Sequence, residues 1–134
     1  MSLDIAQRTK EGVVILDLTG RITTGEEATT FRDVMRSLAK PPEPKVVLNL
    51  KEVDYIDSTG LGALVLTATT VKNSGGAVRL LNPDKRTMEL LVMTKLSTVF
   101  DTYTDEQDAV NSFFPGRQVQ KFDILAFVRS QTGD

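Results

Sequence analysis

The run from Lys45 to Lys72 constrains the fold more than any other part of the chain. KVVLNL, Lys45 to Leu50, is continuous and largely apolar, which predicts a central strand covered on at least one face. From Leu61 the apolar positions change period, and Leu61, Leu64, Val65, Ala68 and Val71 recur at helical spacing. Between the two patterns lies Val53 to Gly62, VDYIDSTGLG. A strand must therefore turn into a helix across this stretch. Asp57 or Ser58 stands where the helix cap belongs, and Thr59 follows. Gly60 and Gly62 leave the backbone of the first turn uncovered.

The remaining segments alternate in the same way. Leu3 to Thr9 reads as an edge strand, joined through Lys10-Glu11-Gly12 to a second strand, Val13 to Leu18, in an antiparallel hairpin. Val14, Leu16 and Leu18 share one face of that second strand. Thr23 and Thr24 precede Glu26 and Glu27 with the spacing of a capping box. The helix that follows carries Ala28, Phe31, Val34, Met35 and Leu38 on one stripe and stops at Pro41-Pro42. Asn73-Ser74-Gly75-Gly76 closes the second helix, and AVRLL, Ala77 to Leu81, is a further strand. Asn82-Pro83 is expected to open a third helix with Met88, Leu91 and Val92 on its apolar side, reaching towards Leu96. A short strand over Val99 to Thr102 and a fourth helix over Asp105 to Phe114 complete the pattern. The expected fold is α/β: a mostly parallel sheet of four or five strands with an antiparallel edge hairpin and four helices, in the order β-β-α-β-α-β-α-β-α. The helices should cover mainly one face. Residues 1–116 form the expected domain and 117–134 a C-terminal extension. The apolar residues of that extension, Phe122, Ile124, Leu125, Phe127 and Val128, fit a packed strand or helix, or a contact in a homodimer.

Composition narrows the chemistry. The chain has neither Cys nor His, which excludes a thiolate nucleophile, a Ser-His-Asp triad and the commonest metal ligands. No metal site and no cofactor are expected. A net charge of −2 gives no reason for binding nucleic acid or an anionic membrane. No apolar run is long enough to cross a bilayer, and MSLDIAQRTK lacks the apolar core of a signal peptide, so a cytoplasmic protein is expected.

Ser58 has several readings. It or Asp57 can serve as a simple helix cap, contributing about 1 kcal/mol. A nucleophilic role lacks a base other than a carboxylate or a lysine, so an enzyme built on Asp57 and Ser58 is the weakest option. STGLGALV could bind an anion at a helix start, but it lacks the Gly-Lys-Ser/Thr ending of a phosphate loop. A phosphate acceptor is the fourth reading, since phosphoserine would bring about −1.5 to −2 charge beside Asp54 and Asp57. The surface would then change sign while the fold survived.

VDYIDSTGLG, set between strand and helix, resembles the signature of bacterial anti-sigma factor antagonists, a group of STAS domains. The resemblance runs from about Leu3 to Phe114. GVVILDLTGRIT is similar to the family's second strand, and NPDKRTMELLVMTKLSTVFDTYTDEQDAV to its closing helix-strand-helix segment. It implies a non-enzymatic switch in which Ser58 is phosphorylated by the partner, an anti-sigma factor that is itself a serine kinase. The unphosphorylated form binds that kinase and frees the sigma factor, phosphorylation releases it, and a PP2C-type phosphatase resets it. The implied partner surface comprises Thr23, Thr24, Asp57, Ser58, Thr59, Gly60, Leu61 and Gly62. Thr59 is the rival acceptor, and Leu61 fits a core residue as well as an anchor for the partner. Thr23 replaces an acid common in the family, and Thr94-Lys95-Leu96 stands in place of Thr-Gly-Leu. The alternative is a STAS module that binds a nucleotide or joins a larger complex without being phosphorylated.

Overall fold

In a computed structural model, residues 3–132 are described. They form a five-stranded sheet in the order β1-β2-β3-β4-β5. β1 (Leu3–Lys10) and β2 (Val13–Ile22) form an antiparallel hairpin across Glu11-Gly12, both at positive φ. β3 (Lys45–Ile56), β4 (Ala77–Leu81) and β5 (Thr102–Tyr103) each add in parallel to the strand before. Parallel neighbours need crossover connections, supplied by α1 (Glu26–Leu38), α2 (Ser58–Asn73) and α3 (Lys85–Met93). α4 (Glu106–Asn111) and α5 (Ile124–Thr132) follow the last strand.

Strand alternation divides the core. Leu16, Leu18, Val46, Leu48, Leu50 and Leu80 point into one large cluster with Phe31 and Met35 of α1, Leu61 and Leu64 of α2, and Leu91 of α3. Val13, Ile15, Val47 and Leu81 point the other way, where Tyr103 and α4's Ala109 and Val110 cover them. Helices thus crowd one face, as the pattern predicts, while one short helix shields the middle of the other.

Several boundaries differ from the sequence expectation. β3 continues six residues past Leu50, because two irregularities let it gain one residue on β2 at each: between Asp17↔Asn49 and Thr19↔Glu52, and between Gly20↔Val53 and Arg21↔Tyr55. Each bulge resets the face, so Val53 and Ile56 are both buried despite their spacing of three. Neither Thr-x-x-Glu capping box forms. Gly25 is the N-cap of α1 without a side-chain bond, and Thr23 Oγ1 instead donates to Glu27 Oε1 at 3.1 Å. Asn82-Pro83 does not open α3 either; Asp84 is the cap, accepting from Thr87 N at 2.8 Å. Val99 lies in an exposed turn, which leaves β5 only two residues, and α4 is shorter than the apolar pattern.

The tail is helical at its end. Phe122 N donates to Thr102 O at 2.7 Å, and Ile124 and Val128 of α5 enter the large cluster beside α3. The far end of α2 closes as its glycines predict. Gly75 takes φ 87° and donates to Lys72 O, and Gly76 donates to Val71 O.

Candidate functional site

The site stands where β2 and β3 end side by side, at the Ile22↔Ile56 pair. Asp57 follows in extended conformation and caps α2, its Oδ1 accepting from Gly60 N at 2.7 Å. Its other oxygen, Oδ2, accepts from Thr24 N at 3.0 Å and from Thr24 Oγ1 at 3.1 Å. One carboxylate therefore ties the β2–α1 loop to the start of α2, across 33 positions of sequence. The amide donated by Gly60, and after it that of Thr24, hold the Asp57 carboxyl below its usual range. A carboxylate so well supplied with donors is a poor general base for the neighbouring hydroxyl.

Gly60 is required by close approach. A Cβ there would lie 1.8 Å from Ile22 O and 2.7 Å from Ile22 C, while one on Gly62 would meet nothing within 4 Å. The two glycines thus serve different ends: Gly60 lets α2 press on the end of β2, and Gly62 keeps the outer face of the helix bare. Leu61 is buried in the large cluster, which decides its reading in favour of core packing.

With Asp57 as cap, Ser58 is left over. It is the first residue of α2 and exposed, and among the described residues its hydroxyl makes no hydrogen bond. Thr59 is half-buried and Thr24 exposed. The first turn of α2 holds no acidic residue. Thr24, Asp57 and Ser58 are thus brought to one surface with Gly62, whereas Gly60 and Leu61 lie beneath it and Thr23 is turned towards Glu27. Nothing in the sequence marks Ile22, yet its carbonyl accepts Asp57 N–H at 3.3 Å and sets the floor under Gly60. A backbone role of this kind leaves no mark on residue type. Beside the site opens a groove of about 750 Å³ lined by Arg21, Asp54, Tyr55, Asp84, Lys85, Arg86 and Glu89. Its three cations face three acids, so it shows no bias towards an anionic ligand such as a nucleotide.

The STAS domain model matches residues 4–109. The chain belongs to the STAS domain family. Within that family it is 29% identical to the anti-sigma-B factor antagonist of Bacillus subtilis over 110 residues, 82% of this chain and 99% of that protein. Among solved structures, an anti-sigma factor antagonist from Mycobacterium paratuberculosis superposes with a TM-score of 0.70 at 21% identity, covering 84% of this chain and 94% of the other. The unphosphorylated form of the antagonist SpoIIAA gives a TM-score of 0.65 at 16% identity, over 81% and 95% of the two chains, and its phosphorylated form 0.62. STAS architecture accounts for the mixed five-stranded sheet with its single antiparallel edge. Among the described residues no helix is long and apolar enough to cross a membrane.

Proposed function

We propose that this STAS protein is an anti-sigma factor antagonist switched by phosphorylation of Ser58. Unphosphorylated, it docks a serine-kinase anti-sigma factor at the start of α2 and so frees the sigma factor. A phosphate on Ser58 ends the docking, and a PP2C-type phosphatase restores it. The observation that carries this reading is the division of labour between neighbours: Asp57 caps the helix, so the Ser58 hydroxyl is free, exposed and dispensable to the fold. Thr59, half-buried, is the poorer acceptor. The kinship with antagonists, one of them solved in both phosphorylation states, supports the same role here.

The energetics suit a switch. The positive end of α2 tolerates added negative charge locally, so the fold should persist. A partner seated over Ser58 would instead bury an uncompensated phosphate. Such a charge costs about 3–5 kcal/mol, more than a hundredfold in affinity. The test is incubation with a purified serine-kinase anti-sigma factor and Mg-ATP, followed by mass spectrometry and calorimetry. One phosphate on Ser58, none on Ser58→Ala, and binding abolished by Ser58→Asp are expected. No phosphate on Ser58, together with unchanged affinity of Ser58→Asp, would refute the proposal.

A further inference from the structure

The two edges of the sheet are finished differently. On the β5 side the tail closes the edge, with Phe122 N donating to Thr102 O at 2.7 Å. On the other side β1 runs for eight residues beside β2 in unbroken register, with no bulge and no proline. Bulges, prolines and short strands are the usual guards of an edge, and β1 has none of them. The two-residue turn at Glu11-Gly12 makes Lys10↔Val13 the closing bonded pair. By alternation, Asp4, Ala6, Arg8 and Lys10 spend their main-chain groups on β2, whereas Leu3, Ile5, Gln7 and Thr9 turn theirs outward. Among the described residues no other main-chain group bonds that outer row.

Charge does not guard this edge either. Asp4, Arg8 and Lys10 share one face of β1, and the two cations are drawn over that face by their own neighbours. Arg8 donates to Asp17 Oδ2 at 2.6 Å and to Glu106 Oε2 at 3.0 Å, and Lys10 stands 3.6 Å from Glu106. Asp4 is exposed and has no ion pair among the described residues. On the other face Leu3 and Ile5 are half-buried and lean on the large cluster. The strand that fits here brings a cation opposite Asp4, an anion opposite Arg8 and aliphatic side chains beside Leu3 and Ile5. β1 of a second copy is such a strand. Run antiparallel about a twofold axis through Ala6, it sets Asp4 opposite Arg8 twice, with Lys10 and the two Ile5 side chains on the diagonals. Nη1 of Arg8 bonds only Glu106 and keeps a second hydrogen for the incoming carboxylate. Other registers are worse. An axis through Asp4 or Arg8 sets like charges face to face. One through Ile5 leaves Asp4 opposite Ala6, and one through Gln7 pushes Leu3 off the ladder.

We propose that β1 is an interface for a second copy of this chain, which pairs antiparallel about Ala6 and joins two five-stranded sheets into one. Leu3, Ile5, Gln7 and Thr9 of the two copies supply about eight main-chain hydrogen bonds. An interface of one strand pair is small, so the dimer is weak and forms with rising concentration. Leu3 pairs with Gly20, so β1 begins at the same end of the sheet as the Ser58 site. The second copy's nearest strand then lies three strand spacings from β3, about 14 Å. The start of α2 stays uncovered in both copies, and the two ends point in opposite directions. The interface therefore stands apart from the reading of Ser58.

The experiment is sedimentation velocity of the full chain from about 10 µM to about 1 mM, with Gln7→Pro, Asp4→Arg and Ser58→Asp beside wild type. Wild type and Ser58→Asp should pass from monomer to dimer across this range. Gln7→Pro removes an outward N–H that β2 does not use, and should stay monomeric. Asp4→Arg sets like charges opposite Arg8 and should weaken the dimer about tenfold or more, and salt at about 0.5 M should return most of that loss. Asp4 has no ion pair in the single chain, so Asp4→Arg decides the matter where Gln7→Pro does not fold. A wild-type chain that is monomeric throughout overturns the interface. A dimer as tight in Asp4→Arg, or in folded Gln7→Pro, as in wild type overturns it too, and assigns the contact to another surface such as the tail. A dimer lost in Ser58→Asp also overturns it, because this pairing leaves Ser58 uncovered.

Discussion

Gly60→Ala and Gly62→Ala add the same methyl group two positions apart on α2, and they should move stability in opposite directions. At Gly60 the new carbon would lie 1.8 Å from Ile22 O, 2.7 Å from Ile22 C and 3.1 Å from Ile22 Cγ2. The first two are backbone atoms and cannot swing away. Ile22 is paired with Ile56, and its carbonyl also holds Asp57 N–H at 3.3 Å. Relief therefore requires α2 to lift from the end of β2 by more than an ångström, at the cost of those bonds. Overpacking of this kind costs about 3 kcal/mol or more. Alanine's helical preference over glycine returns about 1 kcal/mol, leaving a net loss of about 2 kcal/mol or more. At Gly62 nothing lies within 4 Å, so the gain of about 1 kcal/mol is kept whole. For a chain of this length each kcal/mol moves the melting temperature by about 3–5 °C. The two variants should then differ by roughly 10 °C or more, read by thermal unfolding and checked by urea midpoints. A Gly60→Ala protein that melts at or above wild type would refute the close approach as the reason for this glycine.

Asp57→Ala removes the cap and the clamp on Thr24 and should cost about 1–2 kcal/mol in urea denaturation; a loss too small to resolve would mean the clamp holds nothing. Lys95 sits at φ 62° just past α3, donating to Val92 O while Leu96 donates to Leu91 O, so Lys95→Gly should add about 1 kcal/mol of stability in the same assay. Arg8 holds the carboxyls of Asp17 and Glu106 below their usual range, as donated amides hold that of Asp57. Depressed carboxyl groups stabilise the fold above their unfolded values, and that stability is lost as pH falls through the folded ones. With no His in the chain, the urea midpoint should stay level from pH 7 to about 5 and fall below about pH 4; a decline between 7 and 5 would contradict this. Truncation after Gly116 uncovers the places of Ile124 and Val128, 2% and 9% exposed, and should cost about 3 kcal/mol or more; an equally stable truncated chain would show that α5 adds nothing to the core.

Where the sequence was legible, one local signal sufficed. The period change from KVVLNL to the Leu61–Val71 stripe placed a strand and a helix correctly, and the four-residue close of α2 needs glycine at Gly75 for φ 87°. The local pattern misleads where a distant group decides the conformation. Thr24 has the spacing of a capping residue for α1, yet Asp57 takes both its amide and its hydroxyl. The end of β3 reads as loop because Val53 and Ile56 break the two-residue period, and only bulges against β2 bring both inward.

The same long-range bond explains how Ser58 comes to be free. In most helices the first hydroxyl available is spent on the orphan amides. Here the carboxylate one residue earlier satisfies Gly60 N and reaches back to Thr24, while Gly60 brings the helix end down onto Ile22. Under the proposed switch, fold and signal would fall on adjacent residues. Asp57 and Gly60 hold the end of α2 in place whether or not Ser58 carries a charge. A modification at Ser58 can then alter what the surface accepts without altering the surface's shape. If Ser58 itself were the cap, adding a phosphate would disturb the helix start together with the docking face, and no partner could read the one independently of the other.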